Sequence, residues 1–267
     1  MSAKRTLLSR LIAPTLLLLF FLPNDLLIAQ GNTLKPILLD KSALSGVGLE
    51  KVTLNAEPER KFFQRRLLRG EDLSVYVVSS QSWTTRMDNF GIDEVVYMLN
   101  GKAKITPNGG KEMAFQSNEF FFIPKGYTGS WQIVANDNYH YELSIITTER
   151  ASSANSAKTV PELLDKDKLS GIEIEINEQG IYEHVLTKGV ELTVKLMAEA
   201  PRSLKSSGPM SEKLIHLLSG QIDITDSIGE LHTFYTGDFF LIPKGFTGNW
   251  QSKGHGIVKY LVTEKTA

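Results

Sequence analysis

The chain is written twice. The segment Phe120-Phe121-Phe122-Ile123-Pro124-Lys125-Gly126-Tyr127-Thr128-Gly129-Ser130-Trp131-Gln132 returns as Phe239-Phe240-Leu241-Ile242-Pro243-Lys244-Gly245-Phe246-Thr247-Gly248-Asn249-Trp250-Gln251, an offset of 243 − 124 = 119 residues. The same offset carries Gly70 onto Gly189, Leu73 onto Leu192, Leu99 onto Leu218, Gly101 onto Gly220 and Phe115 onto Phe234, with no gap between 62 and 132. A repeat of about 20–50 residues would stack into a solenoid, whereas a unit this long can enclose a core of its own. Two tandem domains are therefore predicted. Both copies open alike, Leu38-Leu39-Asp40-Lys41 resembling Leu163-Leu164-Asp165-Lys166, and the stretch 151–158 between them has linker composition. The division is residues 30–150, a linker over 151–161, and 162–267.

Within each copy, short runs rich in Val, Ile, Thr, Phe and Tyr alternate with turn residues, and long helical periodicity is absent. Strands are predicted over Leu73–Val78, Val95–Leu99, Ala103–Thr106 and Phe120–Ile123, and again over Leu192–Met197, Leu214–Leu218, Ile222–Thr225 and Phe239–Ile242. Asn100-Gly101 and Ser219-Gly220 read as turns between strands. The fold class is all-β, two tandem jelly-roll barrels.

Residues 1–29 read as a secretory signal peptide: Lys4, Arg5 and Arg10 precede an apolar run from Leu11 to Leu22, and small Ala29 follows. That run spans only about 18 Å as a helix, short of a hydrocarbon core about 30 Å thick, so a periplasmic or secreted protein without a membrane span is expected. Removing the leader takes away three basic groups and Asp25, leaving 26 basic against 29 acidic side chains. Such a chain lacks the positive surplus that a nucleic acid partner requires. The absence of cysteine excludes disulfides, thiolate metal sites and cysteine nucleophiles. No Gly-x-Ser-x-Gly elbow and no phosphate-cradling glycine loop occur.

Asp93-Glu94-Val95-Val96-Tyr97-Met98-Leu99-Asn100-Gly101, followed by Ile123-Pro124-Lys125-Gly126-Tyr127-Thr128-Gly129-Ser130-Trp131, resembles the cupin superfamily. More narrowly it resembles small cupins of the (S)-ureidoglycine aminohydrolase and ethanolamine-utilisation type, and the second copy repeats the Pro-x-Gly-x-x-Gly-x-Trp motif in full. The resemblance implies cupin barrels that pair, as a homodimer or as a pseudo-dimer within one chain. It does not imply one activity, because the fold hosts isomerases, dioxygenases, hydrolases and sugar binders.

Metal-binding cupins present two histidines one residue apart, then an acid, and a third histidine after the glycine of the second motif. Against that pattern the first copy has Met87 or Asp88 and Asn89 or Phe90 in the histidine places, keeps Glu94, and has Gly129 in the last place. The second copy has Ser206 or Ser207, Gly208 or Pro209, Lys213 for the acid, and Gly248. No metal ligand set and no cofactor is therefore expected, manganese or a similar ion being the alternative.

If Glu94 points inward, strand alternation puts Val96 and Met98 beside it, and in the second copy Lys213, Ile215 and Leu217, with His216 on the opposite face. Trp131 and Trp250 share the inward face, as ligand contacts or as core plugs. Arg86 and Lys205 match across the repeat, as anchors for a carboxylate or as solvated strand ends. Lys125 and Lys244, in the Pro-Lys-Gly turns, are expected to be exposed. The histidines are read as surface or edge residues, His140 matching His255 if the tails are aligned on Thr148-Glu149 and Thr263-Glu264. Glu94 is the candidate acid or base, or the partner of Arg86. Two functions follow: a metal-independent exported protein binding a small polar or anionic metabolite through Glu94, Arg86, Met98, Trp131, Lys205, Lys213 and Trp250, or a cupin hydrolase or isomerase of a ureido compound or sugar.

Overall fold

The structure, a computed structural model, describes residues 34–149, 158–164, 167, 169 and 174–267. The proposed leader and most of the linker lie outside the described residues. Strand β1 (Ile37–Leu38) and the short helix α1 (Lys41–Leu44), capped by the Asp40 carboxylate on the Ser42 N–H at 2.9 Å, come first. The first copy continues with β2 (Glu50–Leu54), β3 (Glu57–Arg69), β4 (Leu73–Ser80), β5 (Trp83–Met87), β6 (Glu94–Asn100), β7 (Lys102–Pro107), β8 (Met113–Gln116), β9 (Phe120–Ile123), β10 (Gly129–Val134) and β11 (His140–Thr147). The second contains β12 (Glu162–Leu163), β13 (Ile181–Lys188), β14 (Leu192–Glu199), β15 (Ser203–Ser207), β16 (Lys213–Ser219), β17 (Gln221–Asp226), β18 (Leu231–Tyr235), β19 (Phe239–Ile242), β20 (Thr247–Lys253) and β21 (Val258–Lys265). Every predicted strand is present, and β9 and β19 have the predicted bounds. The two turn glycines, Gly101 and Gly220, have φ of 96° and 90°, which a side chain resists.

Each copy forms two antiparallel sheets. In the first, the order β12-β9-β6-β11-β4-β3-β2 packs on β5-β10-β7-β8; in the second, β1-β19-β16-β21-β14-β13 packs on β15-β20-β17-β18. The sheets trade their opening strands. Ile37 and Leu38 pair with Leu241 and Phe240 of the second barrel, while Glu162 and Leu163 pair with Phe122 and Phe121 of the first. The leucine pairs that open the repeated motif thus do the same task twice, each time for the other copy: Leu39 and Leu164 are both buried. Boundaries at 150 and 162 separate the copies in sequence, but at their opening strands the sheets cross them.

Three apolar cores result. Met87, Val96, Phe121 and Trp131 belong to the interior of barrel 1, and Ile215, Leu217, Phe240 and Phe246 to that of barrel 2. The largest lies between the barrels, where the outer faces of the two large sheets meet through Val75, Val95, Phe120, Val194, Leu214 and Phe239. A pseudo-dimer inside one chain is the result. His216, on the face opposite Lys213 as expected, is stacked on Phe239 with ring centroids 3.9 Å apart and lies near Tyr97 and Phe120; burial pushes its imidazole down to about 4.

Buried acids stitch this interface with approximate twofold symmetry. Glu212 accepts the N–H groups of Glu71, Asp72 and Leu73 at 2.9 Å each, and Asp93, its match at the 119 offset, accepts those of Glu191 and Leu192 at 2.6 and 3.2 Å. Gly70 and Gly189 are the cost of that approach, since a Cβ on either would overlap the carboxylate of Glu212 or Asp93. Lys125 also serves the interface, bonding Glu191 at 2.7 Å. It is buried, contrary to the exposure expected of its turn, because the opposite copy brings a carboxylate there; its repeat partner Lys244 is exposed.

Candidate functional site

The alternation of β11 places His140, Glu142 and Ser144 on one face, and that face looks into barrel 1. Glu142 lies opposite Met98 and Ser144 opposite Val96 on β6, so the Glu94 side chain reaches the same wall. Glu94, Glu142 and Ser144 adjoin a cavity of about 50 Å³ with Leu54, Phe62, Val78, Met87, Phe90, Ile92 and Ile133 as its apolar lining, and Arg60, Thr85 and Trp131 as its other polar groups. The volume suits a few waters or one small molecule.

Glu94 is buried and accepts a short hydrogen bond from the Ser144 hydroxyl. Burial, then the neighbouring Glu142 charge, pushes its carboxyl up from 4.5 to about 8 against the opposing effect of Ser144. At neutral pH Glu94 is therefore mostly the uncharged acid. Glu142 faces the imidazole of His140 at 3.5 Å, and the other ring nitrogen, Nδ1, lies 3.0 Å from the Ser80 N–H and 2.9 Å from the Ser80 carbonyl oxygen. Three buried polar atoms here have no hydrogen-bond partner: Trp131 Nε1, His140 Nε2 and Glu142 Oε2. Arg60 is already engaged, with Glu57 at 3.1 Å, Ser80 at 3.3 Å and Thr85 at 3.4 Å. Thr85 also donates to Glu57 at 2.6 Å, so the β2–β3 hairpin is latched to β5.

Barrel 2 supplies an internal control. Register places Val258 opposite Glu199 as His140 is opposite Ser80, so the tails correspond at 258 − 140 = 118 and His255 is not the match of His140. The positions of Glu94, His140, Glu142 and Ser144 are held by Lys213, Val258, Tyr260 and Val262. Trp250 donates to Glu199 at 2.8 Å, and Arg202 holds the other oxygen of Glu199 with two bonds of 2.8 Å. The indole N–H at this place is thus paired in barrel 2 and unpaired in barrel 1.

Of the residues singled out from the sequence, Glu94 and Trp131 meet at the cavity. Met98 points inward but is fully buried in the barrel core. Arg86 and Lys205 face solvent from β5 and β15, the alternate residues Thr85 and Met87 taking the inward places; Arg86 reaches Asn108 at 3.4 Å rather than Glu94. Lys213 is partly exposed on barrel 2, 3.9 Å from Glu264. His140 is fully buried, not a surface histidine, because it lies on the inward face of a strand between two others. Sequence reasoning missed His140, Glu142 and Ser144, although their spacing of two inside a strand-forming run was the available signal.

The metal-binding cupin pattern does not fit this cavity. Inside, the histidine places hold Met87 and Phe90, neither an ion ligand of the required kind, while Asp88 and Asn89 are exposed. At the last place a Cβ on Gly129 would overlap the Tyr127 hydroxyl and the Thr106 carbonyl oxygen, and Gly248 is similarly crowded by Phe246 and Thr225. Among the described residues, the three donors that converge closely enough for an ion are Asp226, Glu230 and His232, which belong to β17, β18 and the turn between them rather than to the cavity.

The model of the EutQ-like cupin domain matches residues 75–141 and 198–260. No curated protein matches. Among solved structures, a protein of unknown function from Pseudomonas syringae pv. tomato shares 16% identity over 87% of this chain and 100% of its own, with a TM-score of 0.64. A putative glyoxylate-induced protein from Pseudomonas aeruginosa shares 14% identity over 92% and 95% of the two chains, with a TM-score of 0.59. A variant of salicylate 1,2-dioxygenase from Pseudoaminobacter salicylatoxidans shares 11% over 90% and 86%, with a TM-score of 0.60. At these identities the likeness concerns the fold. Two domain matches, one in each copy of the repeat and each on its own barrel, make this chain a tandem cupin protein.

Proposed function

We propose that the chain is an exported tandem cupin whose first barrel binds, without a metal, a small polar molecule, and whose second barrel is its structural partner. The observation that carries this reading is that two atoms without a hydrogen-bond partner, Trp131 Nε1 and Glu142 Oε2, belong to residues lining one cavity. Leaving such atoms buried and unpaired costs about 1–3 kcal/mol each. Barrel 2 supports the argument, because it builds the same fold with Val258, Tyr260 and Val262 in the corresponding places. The polar wall is thus dispensable for folding, and a ligand that completes its hydrogen bonds accounts for its presence.

The ligand class narrows from the chemistry. Two carboxyl groups line the cavity and its guanidinium is paired with Glu57, so a neutral or cationic molecule suits it better than an anion. The apolar lining favours a compact solute with one polar edge. Export rests on the leader at residues 1–29, and among the described residues no helix is long and apolar enough to cross a membrane.

The test is native mass spectrometry of the purified chain with elemental analysis, then thermal shift against small neutral, cationic and anionic solutes for wild type, Trp131→Phe and Trp250→Phe. Selective stabilisation by neutral or cationic solutes, weakened by Trp131→Phe, supports the reading. Stoichiometric transition metal, or no response to any solute, overturns it. N-terminal sequencing of the exported form tests the cleavage after residue 29.

A further inference from the structure

Around the barrel-1 cavity the polar groups sort into donors and a base. Two carboxyl groups sharing an apolar cavity do not both ionise, because each charge opposes the other and burial opposes both. Of the two carboxyl groups, Glu142 has a ring nitrogen of His140 beside it at 3.5 Å, a neighbour that favours the carboxylate form there. Glu94 has Ser144 as its hydrogen-bond partner and no cation beside it. It holds the proton. Trp131 adds an indole N–H with no partner. An uncharged acid, a second neutral donor and a carboxylate facing one small space form the arrangement that stabilises a developing oxyanion while a proton is removed from the neighbouring carbon.

Resting on the binding reading above, we propose that barrel 1 catalyses proton transfer on a small carbonyl compound bearing a hydrogen on the adjacent carbon, with Glu142 as base, Glu94 as acid and Trp131 as donor to the carbonyl oxygen. Glu142 takes the carbon-bound proton; the electron pair of that C–H bond becomes the C=C bond of the enol. The carbonyl π pair moves to oxygen, which receives the proton of Glu94. Glu142 ends protonated and Glu94 ionised. Return of a proton to carbon and loss of the enol proton to Glu94 restore both groups, and no oxidant, reductant or metal enters. A cavity of about 50 Å³ suits a compact substrate. Barrel 2 has Lys213 and Tyr260 in place of the two carboxyls and takes no part.

Glycolaldehyde and hydroxyacetone are suitable probes. In D₂O, proton NMR should show the intact chain replacing the hydrogens next to the carbonyl with deuterium faster than buffer does. Glu94→Gln and Glu142→Gln should each slow this about a hundredfold, the usual effect of removing a general acid or base, while Tyr260→Phe leaves it unchanged. Thermal melts establish that the variants are folded. Ser144→Ala, which keeps both carboxyls, should move the alkaline fall of the rate to higher pH, since the lost hydrogen bond favours ionised Glu94. Binding of a probe by saturation-transfer NMR with exchange no faster than buffer overturns proton transfer and leaves the binding reading standing. If neither probe binds, this proposal falls, and the binding reading is decided by the wider solute panel. Exchange that survives both Gln substitutions also overturns it.

Discussion

Trp131 and Trp250 occupy the same place in the two barrels, Trp131 between Thr85 and Ile105 and Trp250 between Leu204 and Ile224, yet only Trp250 has a partner for its indole N–H. The difference lies on the neighbouring sheet, where Glu199 of β14 meets Trp250 while the matching Ser80 of β4 bonds Gln81 and Arg60. Replacing each by Phe removes the same atoms and separates the N–H from the bulk of the ring. Trp250→Phe should cost about 1–3 kcal/mol more stability than Trp131→Phe, because it leaves an oxygen of buried Glu199 short of a donor. Urea unfolding of the two variants measures the gap, and equal losses would contradict it.

Stability should depend on pH through Glu94. Its folded carboxyl lies at about 8 against an ordinary 4.5, so the folded chain binds this proton more tightly than the unfolded one. The resulting stabilisation is complete below about pH 4.5 and drains away as pH rises through about 8. Glu94→Gln, which resembles the protonated acid, should remove this slope. The variant gains on wild type at pH 8–9 relative to pH 5, by about 1.4 kcal/mol for each unit by which the folded carboxyl stands above pH 5. Melting temperatures against pH for the two chains provide the check; parallel curves would refute it.

The hairpin latch should control how readily barrel 1 opens. Thr85 links Glu57 and Arg60 on β3 to the opposite sheet. Thr85→Val keeps the shape and removes the hydroxyl, at an expected cost of about 1 kcal/mol. Amide exchange over Leu54–Phe62 should quicken severalfold while β6 and β9 keep their protection. Unchanged exchange in the hairpin would show that the apolar contacts of Leu54 and Phe62 hold it alone.

The interface between the barrels should be sensitive to charge and to one methyl group. Glu212→Gln retains shape but weakens three hydrogen bonds to backbone N–H groups, an expected loss of about 2–4 kcal/mol. Gly189→Ala, which drives a Cβ into the Asp93 carboxylate, should cost as much or more. Denaturant titration checks both, and a loss below about 0.5 kcal/mol in either would show that the acids do not tie the two copies together.

Much of the architecture was legible in the residues. The 119-residue repeat, the alternating apolar runs and the glycine turns depend on local pattern, and local pattern survives as strands such as β9 and β19. Alternation also placed Glu94 and Trp131 inward and His216 on the face opposite Lys213. Partners were another matter. Whether Lys125 is exposed depends on Glu191 arriving from the other copy, and whether Arg86 serves Glu94 depends on which face of β5 turns inward.

By itself, the sequence determined that this chain makes two similar barrels, because periodicity and turn chemistry act over a few residues and are repeated in full. Only the tertiary structure decided that the opening strands are exchanged, that the largest apolar core lies between the barrels, and that Glu142 and Ser144 join Glu94 and Trp131 at one cavity. Those outcomes depend on contacts between residues far apart in the chain. Burial and proximity then set the proton on Glu94, which no property of Glu94 alone reveals.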